Sequence, residues 1–156
     1  MEPLKFRNNI SCFYSKAKIK LIFSFLAGML IGLHYETIME ILGFSPIPVV
    51  CGINRLGKTK SAKAALSLIG NMSSFCSSVK ERFIPCLCSQ TTLPPVLNDI
   101  KKHKLIKDIA VAFYNRCKDG TCFLESMPRT CPIVTVNWKT LDVLSHDTRY
   151  VCSTYS

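Results

Sequence analysis

The feature that most constrains the fold is the segment of residues 52–59, which lies between an apolar run and a run of strong helix formers. Residues 47–51 read Ile-Pro-Val-Val-Cys, which predicts a short, buried strand of a parallel sheet. Residues 59–69 are rich in alanine and leucine and are followed by Gly70, which predicts a helix that ends at a glycine. The chain is therefore expected to contain a strand, a glycine-bounded turn and a helix in direct succession.

The residues of this turn fit the chemistry of phosphate binding. They match the pattern G-x-x-x-x-G-K-[ST] at every fixed position. Glycine at both ends lets the chain curl, so that successive backbone N–H groups point inward at phosphate oxygens. We therefore predict that a nucleoside triphosphate binds here, with the Lys58 ammonium on its β- and γ-phosphates and the Thr59 hydroxyl on Mg²⁺. The predicted binding residues are Gly52, Asn54, Arg55, Leu56, Gly57, Lys58, Thr59 and Lys60.

An acidic residue is expected at the end of a neighbouring strand, where it would complete the Mg²⁺ shell. Residues 93–97 predict a short strand with two prolines at its start, and Asn98 and Asp99 follow it. Asp99 is the candidate metal ligand with Thr59, acting through water, and capping of the next helix is the alternative role. Strong hydrolytic enzymes of this type usually carry two adjacent acids here. Asn98 therefore leaves either metal binding or water activation short of a carboxylate.

Two further residues are candidates for catalysis. Residues 133–136 predict a β-branched strand that ends at Asn137, which would orient an attacking water molecule or contact the γ-phosphate. A plain turn-forming role is the alternative for Asn137. Arg149 is a candidate charge-stabilising finger that acts on a neighbouring subunit. A surface salt bridge is the alternative for Arg149.

The rest of the chain completes an α/β pattern. Residues 16–42 predict a helix in two pieces, bent near residues 32–35 and capped by Gly43. Residues 83–88 are interpreted as a strand, on which Cys86 and Cys88 would share a face. Residues 101–116 predict a helix with one apolar and one basic face. We expect an N-terminal helical segment, residues 1–45, packed on a domain formed by residues 46–156.

Composition limits the partners and the compartment. Twenty Lys and Arg residues against ten Asp and Glu residues give a net charge of +10, which attracts a nucleotide, a nucleic acid or an anionic lipid surface. The nine cysteines include no C-x-x-C pair, and no signal peptide precedes them, so a reduced, cytoplasmic or nuclear compartment is expected. A hydrophobic fraction of 48% excludes a disordered chain.

The most apolar stretch, residues 21–33, is 13 residues long. A helix that crosses a bilayer needs about 20 apolar residues, whereas about 10–14 are typical of a buried core helix. We therefore expect a helix that packs on the domain or forms a dimer face. Anchoring in a membrane is the less favoured alternative.

Taken together, these residues resemble P-loop NTPases of the AAA-like and helicase-like ATPase groups. Residues 52–59, Asn98-Asp99 and Asn137 stand in the order of the Walker A, Walker B and sensor 1 motifs. The runs at residues 47–49, 93–95, 142–144 and 147–150 are similar to those of uncharacterised metazoan P-loop proteins. The resemblance implies a three-layer α/β/α fold with a mainly parallel sheet, ATP and Mg²⁺ as cofactors, and a dimer or ring.

The chain departs from this family in two respects. Asn98 stands where a second acid is usual, so nucleotide binding is a firmer expectation than hydrolysis. The chain is also expected to stop before the last strand and the C-terminal helical part of such ATPases, as a fragment or a decayed copy would. The alternative function is a catalytically inactive module that uses its basic residues to bind nucleic acid or a protein partner.

Overall fold

The computed structural model of the protein describes residues 16–78, 80, 83–115, 127–137 and 150–155. The helices are α1 (Lys16–Leu33), α2 (Tyr35–Leu42), α3 (Lys58–Leu68), α4 (Phe83–Gln90) and α5 (His103–Tyr114), and the strands are β1 (Ile47–Gly52), β2 (Phe75–Cys76), β3 (Val96–Leu97), β4 (Ile133–Asn137) and β5 (Tyr150–Tyr155). A short 3₁₀-helix, Met72–Ser74, precedes β2.

The five strands form one parallel sheet in the order β2-β3-β4-β1-β5. The central strand β1 pairs with β4 on one side and with β5 on the other, so that Val49 lies opposite Val134 and Cys152. Because all strands are parallel, their carboxyl ends meet at one edge of the sheet, where α/β proteins bind their ligands. The predicted α/β fold class is confirmed.

Helices cover both faces of the sheet. Successive residues of a strand point to opposite faces. On one face, Val50 packs in a buried cluster with residues of α1 and α3. On the other face, Val49 and Cys51 pack in a cluster with residues of α2, α4 and α5. The three layers are therefore helices, sheet and helices.

The predicted bend between the first two helices lies at His34, where α1 and α2 meet at 64°. Gly43 ends α2 in the left-handed conformation, with φ 77°, as predicted. The bend places α1 and α2 on opposite faces of the sheet. Tyr35 is fully buried, and its hydroxyl donates a hydrogen bond of 2.5 Å to the Phe113 carbonyl oxygen.

Among the described residues, no single helix has the length and hydropathy needed to cross a membrane. The bent pair Ile19–Leu33 and Tyr35–Leu42 meets these two criteria jointly, by length and composition alone.

The strand expected at residues 83–88 is a helix, α4. Pro85 lies in its first turn, where a missing N–H group costs nothing. Ile84 and Cys88 are buried four residues apart, which is helical spacing, while Cys86 is exposed. The edge position of the sheet belongs instead to β2, at Phe75–Cys76.

The expectation that the chain stops before a last strand is also wrong. Residues Tyr150–Tyr155 form β5, which pairs with all six residues of β1 from Ile47 to Gly52. This strand follows residues 133–136, the last strand predicted from the sequence.

A close contact links α1 to the segment that leads into β3. Gly32 is buried, and a Cβ atom built on it would lie 2.5 Å from Cβ and 2.9 Å from Cγ of Pro94. The ring of Pro94 cannot move aside as the end of a flexible side chain would. Only glycine therefore lets α1 approach this segment so closely.

We expect the substitution Gly32→Ala to lower the free energy of unfolding by about 1–2 kcal/mol, because overpacking outweighs the higher helix propensity of alanine. Leu30→Ala is the matched control, since Leu30 lies on the same helix with its side chain 57% exposed. Urea unfolding of the two variants measures the difference. A Gly32→Ala protein as stable as wild type would show that the contact imposes no constraint.

Candidate functional site

The loop between β1 and α3, residues 53–57, lies at the carboxyl edge of the sheet. It requires two residues with positive φ, Arg55 at 67° and Gly57 at 95°. Gly57 occupies the N-cap of α3, where no side chain forms a capping hydrogen bond and no acidic residue lies in the first turn. The first N–H groups of α3 and the positive end of its dipole therefore face this edge.

Lys58 is 9% exposed, and its ammonium lies inside the loop. Nζ donates to the carbonyl oxygens of Gly52 at 2.5 Å and Ile53 at 3.0 Å, and to Oδ1 of Asn137 at 3.1 Å. Burial lowers the pKa of Lys58 from its usual value, and the negative charge of Asp99 acts in the opposite direction. Lys58 thus joins the loop to the strand beside β1.

Asn137 connects Lys58 to Asp99. Its Oδ1 accepts from Lys58, and its Nδ2 donates to Oδ1 of Asp99 at 2.7 Å. This link exists because β4, which ends at Asn137, lies between β1 and β3 in the sheet. Asp99 itself has a φ of 56°, a conformation that asparagine and aspartate adopt more readily than most residues.

The hydroxyl of Thr59 lies beside Asn98 rather than beside Asp99. Thr59 Oγ1 donates to Asn98 Oδ1 at 3.3 Å. The Asp99 carboxylate instead accepts from Asn137. Of the two residues that follow β3, only Asn98 thus accepts from the start of α3, and Asp99 accepts from Asn137 at the end of β4.

Thr135 is a site residue that the sequence analysis missed. It is fully buried, its Oγ1 accepts from the backbone N–H of Asp99 at 2.8 Å, and it donates to Asn98 Oδ1 at 3.2 Å. Thr135 is therefore a positioning residue for the Asn98-Asp99 pair. A sequence signal was present, because Thr135 and Asn137 are polar residues two apart in an apolar strand and so share a face.

These residues surround a cavity of about 390 Å³. Its lining comprises Asn54, Arg55, Leu56, Gly57, Lys58, Thr59, Lys60, Asn98, Asp99 and Asn137. Gly52 contributes its carbonyl oxygen to Lys58. The lining includes three basic side chains and one acidic side chain, which favours an anionic ligand. Arg149, the remaining candidate, lies outside the described residues.

Oxygen atoms suited to a hard cation lie at the Thr59 end of the cavity. Mg²⁺ typically takes one or two protein oxygen ligands together with phosphate oxygens and water. The hydroxyl of Thr59 and the amide oxygen of Asn98 lie 3.3 Å apart, and Asp99 lines the same cavity. In the described part of the chain, no group of three or more His, Cys, Asp or Glu residues is arranged to hold a metal ion. A metal ion in this cavity would therefore need phosphate oxygens as further ligands.

The lowered pKa of Lys58 predicts a pH dependence of stability. Between that lowered pKa and the usual value of 10.5, the unfolded chain binds more protons than the native protein, so Lys58 makes stability rise with pH. We expect the free energy of unfolding of wild type minus that of Lys58→Met to increase from about pH 7 towards pH 10. Chemical denaturation across this range measures it. Lys60→Met is the control for losing an exposed charge from the same helix, and a flat or falling difference for Lys58→Met would contradict the prediction.

No protein-family model, curated protein or solved structure matches the chain. A functional conclusion therefore rests on the geometry of the chain's own residues.

Proposed function

We propose that the protein binds a nucleoside triphosphate, ATP, together with Mg²⁺ at the carboxyl edge of β1, β3 and β4, as a P-loop NTPase of the AAA-like or helicase-like kind. The observation that carries the proposal is the convergence of Lys58, Thr59, Asp99 and Asn137 on one cavity at the N-terminus of α3. These residues come from three separate parts of the sequence. Their assembly fits triphosphate binding better than a structural role for any one of them.

The triphosphate would be held by the 53–57 loop, the first turn of α3 and Lys58. Backbone N–H groups at a helix N-terminus bind phosphate oxygens, and the helix dipole favours their negative charge. Lys58 now donates to two neutral carbonyl oxygens and one amide oxygen. Phosphate oxygens are stronger acceptors for an ammonium group, so ligand binding would exchange these bonds for charge-assisted ones.

The metal would be held by Thr59 and Asn98, with Asp99 nearby through water. Bound Mg²⁺ neutralises charge on the β- and γ-phosphates. Because Asn98 contributes a neutral oxygen, affinity for the metal depends more on the phosphates of the ligand than it would with two carboxylates.

The contact between Asp99 and Asn137 supports weak hydrolysis as a second part of the proposal. A carboxylate and an amide held at 2.7 Å next to the Lys58 ammonium are able to orient a water molecule and accept its proton. Assembly as a homo-oligomer in the cytoplasm or nucleus remains part of the same proposal.

We expect Lys58→Ala to weaken the binding of a non-hydrolysable ATP analogue by ten- to a hundredfold, because charge-assisted hydrogen bonds contribute about 1.5–3 kcal/mol. Fluorescence titration of a labelled analogue measures this loss. Lys80→Ala is the control, since Lys80 is exposed and does not line this cavity. Equal affinity in wild type and Lys58→Ala would refute the proposed function.

A second prediction concerns Asn98. The substitution Asn98→Asp places a carboxylate beside the Thr59 hydroxyl, and we expect it to increase the ratio of nucleotide affinity with Mg²⁺ to that without the metal. Thr59→Val should decrease the same ratio, because it removes an oxygen ligand. Thermal shift with the analogue, with and without Mg²⁺, provides the readout. If neither variant changes the ratio, the metal does not lie between these residues.

A further inference from the structure

A second cavity adjoins the first at the carboxyl ends of β2 and β3. Its volume is about 300 Å³, and the two cavities share Asn98 and Asp99 as lining residues. Asp99 therefore lies at the boundary, with the phosphate-binding loop on one side and the second cavity on the other. The proposed function does not use this second cavity.

The lining of the second cavity has a buried apolar part and an exposed basic part. The buried side chains of Ile84 and Leu97, with Leu105, form the apolar part. Lys101 and Lys102 line the same cavity and are exposed. Such a site suits a small ligand that has an apolar portion and a negatively charged group attached to it.

Two further lysines lie on the first turns of α5. Lys104 and Lys107 are exposed and three residues apart, so they are neighbours on the helix surface. Lys101 and Lys102, which line the cavity, directly precede α5. We name these four residues the α5 lysines. A polyanion with one end in the cavity would be attracted by their positive charge.

The position of Asp99 relates the second cavity to the reacting end of the triphosphate. Lys58, which would contact the β- and γ-phosphates, is connected to Asp99 through Asn137. The terminal phosphate is therefore expected on the side of the first cavity that faces Asp99. A hydroxyl group in the second cavity would approach that phosphate and the Asp99 carboxylate together.

We propose that the second cavity binds the 5′-terminal nucleoside of a single-stranded nucleic acid, and that the protein transfers the γ-phosphoryl group of ATP to its 5′-hydroxyl. This inference rests on the proposed function. The nucleobase of this nucleoside would contact the apolar part of the cavity, and the α5 lysines would bind the phosphates of the nucleotides that follow it in the strand. A 5′-hydroxyl is a primary alcohol on an exocyclic carbon, so it reaches further from the sugar ring than a 3′-hydroxyl does and would approach Asp99 more easily.

The 5′-oxygen forms a bond to the γ-phosphorus while the bond from that phosphorus to the β,γ-bridging oxygen breaks. The proton of the hydroxyl passes to the Asp99 carboxylate, and ADP is the leaving group. The products are ADP and a 5′-phosphorylated nucleic acid, and no oxidant, reductant or further reactant is required.

The test uses ATP labelled in the γ-phosphate, Mg²⁺ and a short single-stranded oligonucleotide with a 5′-hydroxyl and a blocked 3′-phosphate end. Deoxyribose and ribose versions are both assayed. We expect wild-type protein to label at least one of them, and the same oligonucleotide with a 5′-phosphate to remain unlabelled. Equal label on the 5′-hydroxyl and the 5′-phosphate oligonucleotides, or label on neither, overturns the inference.

A pair of variants distinguishes the role of the second cavity in phosphoryl transfer from the role of the first cavity in binding ATP. Ser77→Trp places a large side chain at an exposed position that lines only the second cavity, and we expect it to reduce transfer at least tenfold while the thermal shift with the ATP analogue is retained. Ser67→Trp, at an exposed position on α3 that lines neither cavity, is the matched control. Equal losses in both variants, or none in either, count against the second cavity as the acceptor site.

The α5 lysines are tested by the double substitution Lys104→Ala and Lys107→Ala. We expect KM for the oligonucleotide to rise and its dependence on salt to weaken, with kcat unchanged, because these residues would contact phosphates and not the reacting atoms. An unchanged KM overturns their role. Wild-type protein that binds the ATP analogue but labels no oligonucleotide leaves the proposed function intact, whereas loss of analogue binding is measured separately and would refute that function itself.

Discussion

The hydrogen bonds of Asn137 determine the geometry of the candidate site. One amide group accepts from Lys58 and donates to Asp99, so a residue after β1 and a residue after β3 are held together although their strands do not pair. An amide suits this position because it offers an acceptor and a donor on two different atoms in one plane. An ionised carboxylate has only acceptors, and a hydroxyl has its donor and its acceptor on the same oxygen atom. The relative placement of the Asp99 carboxylate and the Lys58 ammonium thus depends on where β4 ends.

A buried threonine, Thr135, stabilises the conformation of the two residues that follow β3. Thr135 uses its single hydroxyl twice, as acceptor from the Asp99 backbone and as donor to Asn98. Fully satisfied polar groups of this kind hold a unique geometry, because breaking one bond leaves a buried group without its partner. The left-handed conformation of Asp99 is thereby maintained in the absence of a glycine.

The sequence predicted the central strand β1, the loop that follows it and helix α3. It did not predict the elements whose type is determined by tertiary packing. Residues 47–51 and 59–69 have strong local signals, and the structure has β1 and α3 there. Residues 83–88 are apolar throughout, so their period does not distinguish a strand from a helix, and burial of Ile84 and Cys88 against the sheet decides for the helix. Strand β2 is two residues long and β5 follows a segment without a clear period, and neither is recognisable before its pairing partner is known.

At the site, the order of Lys58, Asp99 and Asn137 could be predicted from the sequence. The hydrogen bond between Thr59 and Asn98 could not, because it depends on which way the chain turns after β3.

The small size of β2 and β3 has a consequence for the motions of the molecule. Each has two residues, and β2 lies at the end of the sheet with one neighbour, whereas β1 pairs along its whole length on the side of β5. Opening of the β2 end breaks few backbone hydrogen bonds, so it costs less free energy than separation of the central strands. The end of the sheet that carries the second cavity is therefore expected to open more easily than its centre. A ligand that contacts both this end and α5 would raise the free energy needed to open it.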